Sequence, residues 1–148
     1  MDVLSIVLTL FIVIECLNVI LLYKVPGSTK GNAVGVFKAY AKAKADPELS
    51  ALVDYLVNWV AGTKLIFIVL LIGIIITGSP TTKVFSVIAL IFSIGTFFSR
   101  LFPIIRKMEA GGGLTINGYS RTLAIMIAAF IAVFAVALAV YLIGYFRA

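Results

Sequence analysis

Residues 3–23 read VLSIVLTLFIVIECLNVILLY, an apolar run broken only by Ser5, Thr9, Glu15 and Asn18. A helix needs about 20 mostly apolar residues to cross a hydrocarbon core roughly 30 Å thick, and this run has that length. A cleavable leader would need a basic start and a small-x-small exit. Only Asp2 precedes the run, and Tyr23-Lys24-Val25-Pro26 follows it, so a permanent spanning helix is expected.

The rest of the chain reads the same way. Of 148 residues, 63% are apolar and 12% charged, with a mean hydropathy of +1.21. Soluble domains run at about 45–50% apolar and 25% charged, which excludes a water-soluble globule. A second apolar run at Leu65–Thr77 reaches spanning length when extended upstream, giving a span of about 56–78 inside a helix over 47–78. A third covers 84–102 and is expected to stop at Pro103, because proline disfavours helix at the residue before it. A fourth covers 122–146. The expected fold is all-α, a single membrane domain of four transmembrane helices packed as a bundle.

Orientation follows the cations in the connecting segments. Lys24, Lys30, Lys38, Lys42, Lys44 and Lys64 fall between the first two spans, and Arg106, Lys107 and Arg121 between the last two. The opposite side carries only Lys83 and Arg147. Nine against two places the first and third connections in the cytoplasm, both termini outside, and the chain as a multi-pass integral membrane protein.

Within the first connection, Pro26-Gly27-Ser28-Thr29-Lys30-Gly31-Asn32 is rich in turn formers, but it lacks the residue order and preceding strand of a phosphate loop. Residues 33–45 are expected to form a basic amphipathic helix, with Val34, Phe37 and Ala41 on one face and Lys38 and Lys42 on another. Such a helix suits an anionic leaflet. Asp46-Pro47-Glu48 is a strong helix start. A helix over 47–77 would be about 46 Å long, longer than the hydrocarbon, so it should project into the cytoplasm. Ser50, Asp54 and Asn58 mark a polar stripe on it, with Asp54 and Asn58 as possible ligand contacts, while Tyr55 and Trp59 stand where an interfacial aromatic belt belongs.

The polar residues inside the spans carry the functional question. A carboxylate at Glu15 is costly in hydrocarbon unless paired or protonated. Leu4, Leu8, Phe11, Glu15, Asn18 and Leu22 follow alternating spacings of four and three, which puts Glu15 and Asn18 on one protein-facing seam. Ser86, Ser93 and Arg100 recur every seven residues on the third span, so Arg100 is expected to reach Glu15, through Ser93 or Thr96, with Lys64 as the competing partner. The pair either fixes helix register or leaves a proton- or ligand-responsive carboxylate. Ala124, Ala128, Ala132, Ala135 and Ala139 form a small-residue face, expected to pack within the chain, with a dimer contact as the alternative. Lys64, Arg100, Arg106, Lys107 and Arg121 are expected to gather at the cytoplasmic face as a site for a lipid phosphate or another anion.

Several functions are excluded by what is missing. There is no histidine, and Cys16 is the sole cysteine. Imidazole-based catalysis, haem ligation by histidine, the usual zinc sites and an internal disulfide therefore fall away. No motif implies a cofactor or a metal, and no nucleic-acid module accompanies the basic charge. The reading that remains is an accessory subunit of a larger membrane complex, or a self-associating homo-oligomeric bundle whose basic face binds anionic lipid.

Four helices, a long first connection, a short second one and a projecting second helix resemble the membrane-associated eicosanoid and glutathione metabolism family. That resemblance implies a trimeric enzyme binding glutathione near the cytoplasmic face, with Asn58 and Tyr119-Ser120-Arg121 at matching positions. The family's Arg-x-x-x-Asn-x-x-Glu falls on Asp54, Asn58 and Ala61, so both charged ligands are absent. The small multidrug transporters are similar in having four helices and a glutamate in the first, which implies a proton-coupled role for Glu15. They have no counterpart of residues 24–58.

Overall fold

The computed structural model describes residues 2–147. The side chain of Arg147, counted above for orientation, lies outside the described residues. Five α-helices follow one another: α1 (Val3–Lys24), α2 (Lys38–Lys44), α3 (Pro47–Thr77), α4 (Pro80–Ala110) and α5 (Tyr119–Arg147), with a single 3-10 turn at Val34–Val36. All except the short α2 are long and apolar enough to cross a membrane. The chain is thus an all-α, multi-pass membrane protein whose long helices form a bundle.

Local chemistry sets the helix starts. Asp2 caps α1 by accepting from the Ser5 amide at 2.7 Å. Asp46 caps α3 by accepting from Glu48 and Leu49, with Pro47 in the first turn. Ser79 caps α4 by accepting from Thr82, with Pro80 following it. These side-chain oxygens satisfy amides that a helix start leaves without partners. The turn Gly78-Ser79 reverses the chain between two 31-residue helices, each about 46 Å long.

α1 is the hub. Leu4, Leu8, Phe11, Asn18 and Leu22 on its seam are buried. Phe11 meets Phe67 of α3 and Phe130 and Phe134 of α5 edge to face, with ring centroids 6.0, 6.0 and 5.4 Å away. α1 packs mainly on α3 and α4 mainly on α5, while α3 and α4, although consecutive, barely touch. A gap therefore runs between them, floored by α1.

At the end of the bundle opposite the termini, which we term the loop end, the two long connections are fastened together. Lys38 donates its amide to the Gly113 carbonyl, and Thr115 donates both its amide and its hydroxyl to the Val36 carbonyl, at 2.9, 2.9 and 3.1 Å. Beneath this bridge Phe97, Ile105, Leu114 and Leu123 form a second core, with Phe37, Met108 and Tyr119 packed on it.

Three sequence expectations are corrected here. The amphipathic helix over 33–45 is broken, because Phe37 is extended (φ −89°, ψ 121°) and its neighbours give their backbone groups to residues 113–115. Only 38–44 is α-helical, so Val34 and Phe37 lie outside it and share no helical face with Ala41. α4 does not stop at Pro103 but runs to Ala110. Proline removes one amide from the helix ladder, and the burial of Phe97 and Ile105 on either side holds the helix together through it. Of the alanine face of α5, Ala124 packs on the second core, but the rest is not packed within the chain. Ala128, Ala132, Ala135 and Ala139 are exposed, and Leu123, Phe134 and Ala137 face inward, because the phenylalanines of α5 fill the space beside Phe11.

The first connection folds back on itself. Val34 donates to the Pro26 carbonyl and Gly35 to the Ser28 carbonyl, at 2.9 and 3.1 Å. A Cβ on Gly35 would stand 1.9 Å from the Gly27 carbonyl oxygen, so only glycine allows this approach. Gly35→Ala is expected to cost about 1–3 kcal/mol, as overpacking does, and to open residues 26–37 to protease. Thermal melting and limited proteolysis in detergent check this; wild-type resistance in the variant contradicts the contact.

Candidate functional site

The gap between α3 and α4 is a cavity of about 640 Å³, within the roughly 300–1,000 Å³ common for small-molecule sites. Its α3 wall is built by Thr63, Lys64, Phe67, Leu70, Leu71 and Ile74. Its α4 wall runs from Thr82 through Phe85, Ser86, Ala89 and Leu90 to Ser93 and Ile94, and Phe11 and Glu15 of α1 form the floor. Spacings of three and four along α3 put its contributors on one helical face. The groove opens sideways, toward where lipid lies.

Charge enters this apolar groove at one place. The Lys64 ammonium donates to Glu15 Oε2, with Lys64 and Glu15 side chains 24% and 16% exposed. Glu15 is 12 residues from the start of α1 and Lys64 13 from the end of α3, so both lie about 18–20 Å from the terminal end of the bundle. That is well inside a hydrocarbon core about 30 Å thick.

Arg100 is not the partner. It is exposed, and Lys64, the competing candidate, holds the carboxylate. Lys64 consequently stands apart from the loop-end cations. Residue count alone places Lys64 at matching depth, whereas Arg100 lies on α4, across the gap. Ser93 lines the groove. Asn18 is buried, its Oδ1 has no partner, and its amide nitrogen lies close to Gly31.

The other sequence candidates lie elsewhere. Arg106, Lys107 and Arg121 are exposed at the loop end. Asp54 receives the Lys44 ammonium at 2.6 and 2.7 Å, and Lys44 also reaches Ser50 at 3.2 Å. Its bond to Asp54 raises the Lys44 pKa against the pull of desolvation, so the polar stripe of α3 docks α2. Asn58 donates to the Asp54 carbonyl of its own helix.

Two polar contacts were not anticipated from sequence. Lys83 Nζ of α4 donates to Asp2 Oδ2 at 3.0 Å and to Ser5 Oγ at 2.9 Å, clamping the terminal end. Burial acts to raise the Asp2 carboxyl, but the Ser5 amide, the Lys83 ammonium and the Ser5 hydroxyl hold it down to about 2 from its ordinary 3.8. Ser120 at the start of α5 donates to Glu109 Oε2. That bond outweighs burial and, with the amides of 118–120, lowers the Glu109 carboxyl. The signal for both was topological: Asp2 and Lys83 flank helices that meet at one end, and Glu109 precedes a helix start, where anions are favoured.

Comparison of the chain with protein-family models, with curated proteins and with solved structures finds no match.

Two predictions follow from these pairs. Lys64→Met alone leaves a carboxylate unpaired in the groove and is expected to destabilise by about 3 kcal/mol, whereas Glu15→Leu with Lys64→Met recovers most of that loss. Reversible unfolding in mixed micelles measures the cycle; additive single effects contradict the coupling. The Asp2 carboxyl is lower in the folded chain, so its contribution is present above pH 3.8 and lost as pH falls toward about 2. The difference in melting temperature between wild type and Asp2→Asn should be present at pH 5 and vanish near pH 2.

Proposed function

We propose that this protein works by association in the membrane, as an accessory subunit or a self-associated bundle, and that its loop end lies at the cytoplasmic face and binds anionic lipid headgroups. The observation that carries the reading is the bridge between Val36–Lys38 and Gly113–Thr115. It joins the two most basic connections into one surface. Exposed Lys24, Lys30, Lys38 and Lys42 from the first stand on that surface with Arg106, Lys107 and Arg121 flanking the second. Surface cations near an anionic leaflet contribute about 1 kcal/mol each, and arginine adds forked donors suited to phosphate. The cation bias between the two ends supports cytoplasmic placement of this surface and outside placement of both termini. Association is supported by the outward alanine face of α5, whose small residues let another helix approach closely.

Sidedness is tested with single cysteines at exposed Asn117 and Thr81 in a Cys16→Ala background. An impermeant maleimide should label Asn117→Cys only from the cytoplasmic side of sealed vesicles and Thr81→Cys only from the other; the reverse pattern overturns the orientation. Native mass spectrometry from mild detergent tests the rest. An oligomer or a partner complex retaining phosphatidylglycerol is expected, with retention falling several-fold in Arg106→Ala/Lys107→Ala/Arg121→Ala. A trimer retaining added glutathione on each chain overturns the reading in favour of the enzyme family.

A further inference from the structure

The Glu15–Lys64 pair is incompletely satisfied. An ammonium has three donors and a carboxylate two acceptor oxygens, and their mutual bond uses one donor and Oε2. Among the described residues no other protein group bonds to Lys64 Nζ or to Glu15 Oε1. The neighbouring hydroxyls do not fill the deficit. Thr63 donates to the Trp59 carbonyl and Ser86 to the Thr82 carbonyl, at 2.9 and 2.8 Å. Unpaired polar groups at this depth are expensive, since hydrocarbon offers no partners.

The remainder of the groove is hydrocarbon in character. From Lys64 it runs past Phe67 and Leu71 to Ile74 on α3, ten residues or about 15 Å of helix. The occupant therefore needs an apolar body of that reach and one small polar head. The pair also sets the head's charge. Glu15 and Lys64 are together neutral, so a carboxylate or ammonium head would bring an uncompensated charge to this depth. A carbonyl can accept from Lys64 but gives nothing to Glu15. A hydroxyl does both, because it is at once donor and acceptor. A phosphodiester head is both charged and too large to leave the interface.

We propose that the α3–α4 groove binds an uncharged, hydroxyl-headed hydrophobe from the bilayer, of the class of long-chain alcohols, prenols or sterols. Its hydroxyl accepts from the Lys64 ammonium and donates to Glu15 Oε1, and its body lies between Phe67 and Leu71 of α3 and Phe85 and Ala89 of α4. This site is independent of the loop-end lipid surface.

The test uses the full chain in phosphatidylcholine nanodiscs with a diazirine-bearing twelve-carbon alcohol (about the 15 Å reach of the groove), followed by peptide mapping. Cross-links are expected on 63–74 and 82–94. Unlabelled dodecanol should compete about tenfold or more better than dodecanoate, dodecylamine or dodecane, the difference a lost hydrogen bond to a charged group makes. Ala89→Trp fills the groove without touching the pair and should abolish those cross-links, whereas Ala128→Trp, on the outward face of α5, should leave them. Equal competition by the alkane reduces the groove to a passive lipid contact and overturns the proposal. So do equal competition by either charged head, cross-links scattered over outward helix faces, or a groove left unlabelled. The head-group series is read on the wild-type protein, so it decides the matter even if Ala89→Trp fails to fold.

Discussion

Between its two ends this bundle sits in a solvent that makes no hydrogen bonds, and each polar group there must find its partner inside the protein. Most do so within their own helix. Thr9 donates to the Ser5 carbonyl, Thr63 to Trp59, Thr77 to Gly73 and Ser86 to Thr82, all one turn back. Glu15 and Lys64 have no such local remedy, because a charge cannot be discharged onto one carbonyl. They pair across two helices, and that requirement sets the depth and face at which α1 meets α3. Phe11, one turn from Glu15, then fixes α5 through Phe130 and Phe134.

The groove follows from that arrangement. With α1 committed to α3 on one flank and to α5 on another, α4 is drawn to α5 and away from α3. The divergence is framed at both ends. Asp2, Ser5 and Lys83 tie α1 to α4 at the terminal end, and the Val36–Thr115 bridge ties the connections at the loop end. A frame pinned at its ends and open along its side keeps a lateral cavity without collapse. In water such a cavity would expose a large apolar surface; in a bilayer that surface meets hydrocarbon.

Much of this was legible in the chain. Asp46-Pro47-Glu48 and the apolar runs marked the long helices because capping chemistry and hydrophobic length act locally. The seam of α1 was legible for the same reason, since Glu15 and Asn18 share the spacing of buried Leu4, Leu8 and Leu22. What the sequence hid depended on partners distant in the chain. The 33–45 segment has helical spacing, but Val36 and Lys38 bond to residues 113–115, and that competition outweighs a short helix with no buried face. Pro103 reads as a stop by local sterics, yet the packing of Phe97 and Ile105 carries α4 past it. The alanine face of α5 has the spacing of a contact, but spacing does not say which neighbour it meets. Glu15 was expected to take Arg100 because Ser86, Ser93 and Arg100 recur every seven residues on the third span; the choice fell to Lys64 because α1 packs mainly on α3.

Depth separates two kinds of charge in this molecule. The loop-end cations are exposed, and only Lys44 among them holds an ion pair among the described residues. They outnumber the acids at that end, Asp46, Glu48, Asp54 and Glu109, so their field reaches outward and favours anions over the distance of a Debye length, about 8–10 Å. Lys64 belongs to the same excess by residue count but not by effect, since Glu15 cancels it at close range and hydrocarbon surrounds the pair. A headgroup phosphate drawn to the loop end thus gains nothing by descending, and a neutral hydroxyl in the groove gains nothing at the surface. The net charge of +6 is in this way divided between a surface of exposed cations and an interior in which Glu15 neutralises Lys64.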